Sequence, residues 1–323
     1  MGNHNKRTDR IGTEVINKYN ETAICVEYIN ANQIYCKFKD VDRVFITSWK
    51  DFQRGNFKHP DRYKNLREGQ YVVNPKGSGA TCISYVDSEH IIIQFDNSDI
   101  TLKTKWGCFK KGKFKSPFDK NKFGGYLGML NIVDSNGKNP PEYELWMSML
   151  KRCYSESIKR NRPTYDEVTC CEEWMCFKNF KEWLVGQPNY EKWKNDTKNW
   201  CLDKDILAEQ NHYKKRIYSS DTCCLVPSSV NSLFVKVDAL RGEYPIGVYF
   251  SKKEAKFKAQ CQNPFTKKYI NLGRYDTPEE AFFVYKSYKE KMIKQVAKHE
   301  YSLNNITKSC YEAMMNYEVL ITD

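Results

Sequence analysis

The sequence has no apolar run long enough to cross a bilayer, and its polar start, MGNHNKRTDR, carries no signal-peptide apolar segment. Membrane anchorage and secretion are therefore not expected, and the chain reads as a soluble cytoplasmic protein. The regular cysteine spacing of a disulfide framework is also missing. There are 13 cysteines, an odd number, scattered among Ile, Val, Phe and Trp, and most read as reduced, buried small hydrophobes. Histidine is scarce, 5 in 323 residues, which leaves few positions for imidazole chemistry. Acidic residues are in deficit, with 40 Asp+Glu against 52 Lys+Arg and a net charge of +12. That excess favours a polyanionic partner, with a solvated basic surface as the plainer alternative. The length is ample for two to four domains and more than one core.

Residues 8 to 118 contain a duplication. A shift of 57 positions matches Arg10 with Arg67, Gly12 with Gly69, Asn17 with Asn74, Cys25 with Cys82 and Tyr28 with Tyr85. It continues without a gap through Trp49 and Trp106, Phe52 and Phe109, Gly55 and Gly112, and Phe57 and Phe114. Two copies of one structural unit follow, residues 1–61 and 62–118. Each alternates at period 2 (AICVEYI and QIYCKF; ATCISYV and HIIIQF), the pattern of short antiparallel strands, and each is expected to form a small curved sheet or barrel. The ending Trp-x-x-Phe-x-x-Gly-x-Phe-Lys is expected to close the core; an aromatic and lysine surface for nucleic acid, or a protein docking face, is the alternative.

Residues 119–141, rich in Lys, Asn, Gly and Pro, read as a linker that stops at Pro140-Pro141. A helix is expected over 142–155, with Trp146, Met149, Leu150 and Cys153 on one stripe. A strand over Tyr165–Cys170 and a helix from Glu172 to Leu184 should follow. The patch Lys159-Arg160-Asn161-Arg162 is a solvated loop or a phosphate contact.

The stretch Trp200–Phe234 reads as two strands and a helix around Asp203, Lys204 and Asp205. The blocks Trp-x-x-Met-x-x-Arg-Cys-Tyr (146–154), Tyr-x-x-Val-x-Cys-x-x-Trp-x-x-Phe-x-x-Phe (165–180), Leu-Asp-Lys-Asp (202–205), Tyr-Ser-x-x-x-Cys (218–223) and Asn231 occur in that order. Over about residues 142–236, within a core domain taken as 142–240, the chain resembles the HNH-type endonucleases of phages and mobile elements, whose core often reads Leu-Asp-Arg-Ile-Asp-Asn and then Tyr-Ser-Pro-Glu-Asn-Cys. Two departures stand out: no histidine occupies the first strand, where Lys204 or Asp205 stands, and Thr222 replaces the Asn. A one-metal nuclease needs a general base and carboxylate, Asn or His ligands for a divalent cation, Mg or Mn. Asp203 and Asp205 are candidate metal ligands, placed on one face of a strand by alternation with Lys204 opposite. Asn231 is a further ligand or orienter, and His212 is the only histidine in the region that offers a base. The alternative is that Asp203 and Asp205 cap or salt-bridge the fold. A structural zinc on Cys170 or Cys171 with Cys176 fits the usual spacing loosely, and core cysteines are the better reading.

Residues 241–300 carry 13 Lys+Arg against 7 Asp+Glu, a net +6. Three strands (RGEYPIGVYF, EAKFKAQCQ, KKYINLGRY) precede a helix opened by Thr277 as N-cap, Pro278 and the capping-box Glu280, with a stripe of Ala281, Tyr285, Tyr288 and Met292. Gly247-Val248, Phe257-Lys-Ala259, Ile270-x-Leu272-Gly273-Arg274-Tyr275-x-Thr277 and Glu280-Ala281 resemble the APETALA-two (ethylene-response-factor) DNA-binding domain. That domain lays a three-stranded sheet in the major groove and also occurs appended to phage HNH endonucleases. The resemblance implies Tyr249, Lys256, Lys258, Gln260 and Lys268 as DNA-facing residues. YFSKK replaces the arginine-rich first strand, so phosphate contact rather than bidentate arginine readout is expected. The tail, 301–323, is expected to hold a short helix near Thr307–Tyr317 that docks on the body or on a partner.

These readings converge on a multidomain α+β protein of phage or mobile-element type: two β-repeats, a degenerate HNH-like core, a DNA-binding sheet and a tail. The expected partner is double-stranded DNA, with the host cytoplasm as the place of action. Two alternatives stay open, an active metal-dependent endonuclease and an effector that binds a host defence protein.

Overall fold

The computed structural model describes residues 8–134, 136–162, 165–210, 217–235 and 243–322. The chain divides into two compact units, Met1–Ser116 and Pro117–Asp323.

In the first unit each repeat forms a four-stranded antiparallel sheet in sequential order. The first contains β1 (Glu14–Ile16), β2 (Thr22–Asn30), β3 (Gln33–Phe38) and β4 (Val44–Thr47), followed by α1 (Trp49–Gln53). After α2 (Arg62–Arg67) the second contains β5 (Tyr71–Val73), β6 (Gly79–Tyr85), β7 (Ile91–Phe95) and β8 (Thr101–Thr104), followed by α3 (Trp106–Lys110). Alternation sends Ala23, Cys25, Ile34, Cys36 and Phe38 inward in one copy and Ala80, Cys82, Ile91, Ile93 and Phe95 in the other. The expected barrels do not close: among the described residues β1 does not pair with β4, nor β5 with β8. Outer strands of 3 and 4 residues are too short to complete a cylinder. The aromatic ending covers the open sheet instead, with Trp49, Phe52 and Phe57 buried in one copy and Phe109 and Phe114 in the other.

The duplication extends to individual atoms. Asn17 and Asn74 are buried, and their Nδ2 atoms donate to the carbonyls of Phe57 (3.0 Å) and Phe114 (3.3 Å). Each Oδ1 accepts two backbone N–H groups, from Tyr19 and Glu21 or from Lys76 and Ser78. Gly55 and Gly112 share φ +65°, and a Cβ at Gly55 would lie 2.9 Å from the Asn17 Cα. Arg10 stacks on Tyr28 and Trp49 (4.9 and 4.5 Å to the ring centroids), and Arg67 stacks on Tyr85 and Trp106 (4.7 Å each).

The second unit begins with a strap. The stretch expected as a linker packs Phe123, Leu127, Met129 and Ile132 onto a core built on α4 (Pro141–Tyr154). Trp146, Met149, Leu150 and Cys153 form the buried stripe of α4 that the periodicity predicts. The basic patch begins in α5 (Glu156–Asn161), which buries no residue. The expected strand over Tyr165–Cys170 contracts to β9 (Thr169–Cys170), parallel to β11 (Ile217–Tyr218). The expected helix from Glu172 splits into a 3₁₀ turn at Glu173–Met175 and α6 (Phe177–Val185), with Cys176 extended between them. Tyr126 causes the break: its N–H donates to the Met175 carbonyl and its carbonyl accepts from Phe177, both at 2.9 Å.

Beyond α7 (Tyr190–Asn195), β10 (Trp200–Asp203) pairs antiparallel with β12 (Cys224–Pro227). Between them lies α8 (Ile206–Gln210), and α9 (Ser228–Asn231) follows β12. A three-stranded sheet comes next, β13 (Val248–Ser251), β14 (Lys256–Gln262) and β15 (Tyr269–Tyr275), packed on the 25-residue helix α10 (Pro278–Ser302). Thr277 and Glu280 form the predicted capping box. The tail helix α11 (Lys308–Met315) places Cys310, Ala313 and Met314 against Ile206, Val226 and Val230 of the hairpin region and against Ile293 and Ala297 of α10. Buried Asn189 fixes the same junction by donating to the carbonyls of Leu225 (2.8 Å) and Asn305 (3.0 Å). The tail thus docks on the body.

All 13 cysteines are free and ten are buried. Burial pushes the Cys36 and Cys153 thiols up to about 12, which makes them packing groups rather than nucleophiles. Among the described residues no helix is long and apolar enough to cross a membrane.

Candidate nucleic-acid interface

Two places hold the residues singled out from the sequence. The first is the turn after β10. The strand ends at Asp203, so the alternation that would put Asp203 and Asp205 on one strand face stops before Asp205. Asp203 is buried, and its Oδ1 accepts the backbone N–H groups of Asp205 (3.0 Å) and Ile206 (2.9 Å), capping α8. Burial pushes its carboxyl up to about 6, against the opposing pull of those N–H groups. Lys204 is only 5% exposed. Its Nζ donates to both carboxylate oxygens of Asp205, at 2.7 and 2.8 Å, and lies 5.8 Å from the ring centroids of Tyr165 and Tyr218. From α4, Arg152 donates to the Tyr218 hydroxyl at 3.3 Å.

Chemically, this is a lysine locked onto a carboxylate. An ion-paired ammonium donates hydrogen bonds and accepts no proton. Among the described residues no three His, Cys, Asp or Glu side chains converge as a metal site. A divalent cation at Asp203 and Asp205 would have to compete with two backbone N–H donors and the Lys204 ammonium, so the donors described do not fit a metal centre. His212 lies outside the described residues. Asn231 is the last residue of α9 and is half-buried. Thr222 is fully buried and donates to the Ile217 carbonyl at 2.5 Å, tying off the turn before β12.

The second place is the C-terminal sheet. Its register puts Tyr249, Lys258 and Arg274 in one row, Gln260 beside Asn271, Gln262 beside Tyr269, and Ser251 beside Lys256. Residues directly opposite in antiparallel strands share a face, so these side chains line one side of the sheet. The other side, with Val248, Ala259, Cys261 and Leu272, packs on Ala281, Phe282 and Tyr285 of α10. The lined side is solvent-facing: Tyr249 is 41% and Tyr269 69% exposed. Four of the five predicted DNA-facing residues, Tyr249, Lys256, Lys258 and Gln260, are therefore brought together. Lys268 is exposed in the turn just before β15.

Carboxylates temper this face. Lys256 is paired with Asp276, and Glu254 lies 2.9 Å from both Lys258 and Arg274. Sequence reasoning missed Tyr269, Asn271 and Arg274 as face residues. Alternation along Tyr269-Ile-Asn271 carries the signal for the first two. Arg274 is displaced from that alternation by Gly273 (φ +128°), where the register shifts between Ala259 and Gln260.

No known protein family, curated protein or solved structure matches this chain.

Proposed function

We propose that this chain binds double-stranded DNA through the open face of its C-terminal sheet, and that the HNH-like hairpin serves as scaffold rather than nuclease. One observation carries the reading: Tyr249, Lys256, Lys258 and Gln260 share an exposed sheet face with Tyr269, Asn271 and Arg274. Lysines and arginine on such a face exchange their carboxylate partners for backbone phosphates. The amides of Gln260 and Asn271 have the donor–acceptor pair that adenine presents in the major groove. The net +12 of the chain supports the same partner.

The test is duplex binding across a salt series. Affinity should fall steeply, with a log–log slope of about −0.9 for each phosphate engaged. Lys258→Ala should weaken binding to all sequences alike and flatten that slope by roughly one contact. A salt-independent affinity would overturn the reading.

The strand–strand–helix order of β10, β12 and α9 favours a second reading, a metal-dependent endonuclease. Supercoiled plasmid with Mg²⁺ or Mn²⁺ distinguishes the two. Cutting that Asp203→Ala abolishes would replace the scaffold reading.

A further inference from the structure

The three-stranded sheet has a notch. β13 pairs with β14 only as far as Ala259, so Gln260, Cys261 and Gln262 extend past it with no strand on that side among the described residues. The Gly247 carbonyl accepts the Gln260 N–H at 2.9 Å and marks where the neighbouring strand leaves off. The gap opens a cleft of about 300 Å³, whose polar lining includes Gln260, Gln262, Lys267, Tyr269 and Lys289.

Lys289 is the unusual member. It rises from α10, is half-buried, and has no carboxylate partner among the described residues. Three of the lysines in this part of the chain have carboxylate partners: Lys256 with Asp276, Lys258 with Glu254 and Lys286 with Glu290. Lys267, on the turn above the cleft, likewise has no carboxylate partner among the described residues. A half-buried ammonium without a counter-ion is costly to hold, and here burial lowers the lysine below its ordinary range. An anion in the cleft removes that cost. Two cations beside one cavity suit a tetrahedral dianion better than a carboxylate. The cavity is larger than one phosphate group, which leaves room for the ester that carries it.

We propose that this notch is a phosphate-binding site, with Lys289 and Lys267 as its cations and the Gln260 carboxamide as a hydrogen-bond donor; Gln262 Nε2 donates to the Lys267 carbonyl at 3.0 Å and holds the turn that carries that lysine. Gln260, Gln262 and Tyr269 also belong to the open face, so a DNA strand crossing that face delivers a phosphate to the notch. A free phosphate or nucleotide satisfies the same chemistry. The site rests on the DNA reading only for the source of its ligand.

The test uses the full chain with ¹³C-labelled lysine side chains, the Lys289 signal being assigned by its loss in Lys289→Arg. Inorganic phosphate and a short duplex are titrated separately. The Lys289 signal should shift saturably with at least one of them, and its titration should move to higher pH on binding. If DNA is the source, Lys289→Met flattens the salt slope of duplex binding by about 0.9, while Lys289→Arg restores it. If free phosphate is the source, Lys289→Met abolishes phosphate binding and leaves duplex affinity unchanged. A Lys289 signal unmoved by both ligands overturns the proposal. Phosphate binding without any duplex binding would retain the notch and sink the DNA reading.

Discussion

At the scale of single residues, Asp203 carries the sharpest consequence. Its carboxyl lies at about 6 in the fold against 3.8 free in solution. A raised value means that the stabilising contribution is full below 3.8 and is lost as pH rises through about 6. That interval corresponds to roughly 3 kcal/mol of penalty on the ionised form. Asn keeps the oxygen that accepts the Asp205 and Ile206 N–H groups and carries no charge. Asp203→Asn is therefore expected to be more stable than the parent at pH 8, with the difference shrinking towards pH 4, as read by denaturant unfolding across pH. A difference that does not change with pH would mean that Asp203 does not titrate as its burial dictates. The chemistry of this position was half legible. The residues named Asp203 and Asp205 and offered either metal binding or capping. Which partners they take depends on where β10 stops, and alternation alone does not mark that point.

At the scale of elements, the C-terminal sheet shows how ion pairing sets the strength of a surface. Glu254 holds both Lys258 and Arg274. Glu254→Gln keeps the shape of the turn and releases two cations. Duplex affinity should rise several-fold at low salt and the salt dependence should steepen, since both effects are electrostatic and screened. Unchanged affinity and slope would place DNA elsewhere than on this face. Helices were the most legible elements: the stripe of α4 and the capping box of α10 are written in local spacing, and both formed as expected. Strand closure was the least legible. Period-2 alternation gives a strand its faces but says nothing about which edge it meets, so it leaves a curved sheet and a barrel both open, and the open sheet is what forms. The helix expected from Glu172 was broken by Tyr126, a contact from about fifty residues upstream that no local pattern contains.

At the scale of the whole molecule, the two compact units have separate cores, Phe52 and its neighbours in one and the α10–α11 junction in the other. Two compact units, each packed on itself, are expected to melt as two cooperative transitions. Calorimetry should resolve two of them. Phe52→Ala should lower one and Met314→Ala the other, each by about 2–5 kcal/mol. A single transition lowered by both substitutions would show one cooperative body. Met314 also explains why the tail docks on the chain itself: it fills the junction between hairpin and long helix, together with Cys310 and Ala313.

The sequence by itself determined the duplication, the buried faces of the strands, the caps and stripes of the helices, the reduced state of most cysteines and the basic balance of the chain. These are properties of local spacing and of composition, and each residue carries them wherever it sits. Only the tertiary structure decided that the repeats stay open, that the expected linker is a strap, that Lys204 locks onto Asp205, and that Lys289 stands half-buried at a notch in the sheet with no carboxylate partner among the described residues. Each of these depends on which distant groups meet, and so on burial and electrostatic pairing, which the order of residues does not state.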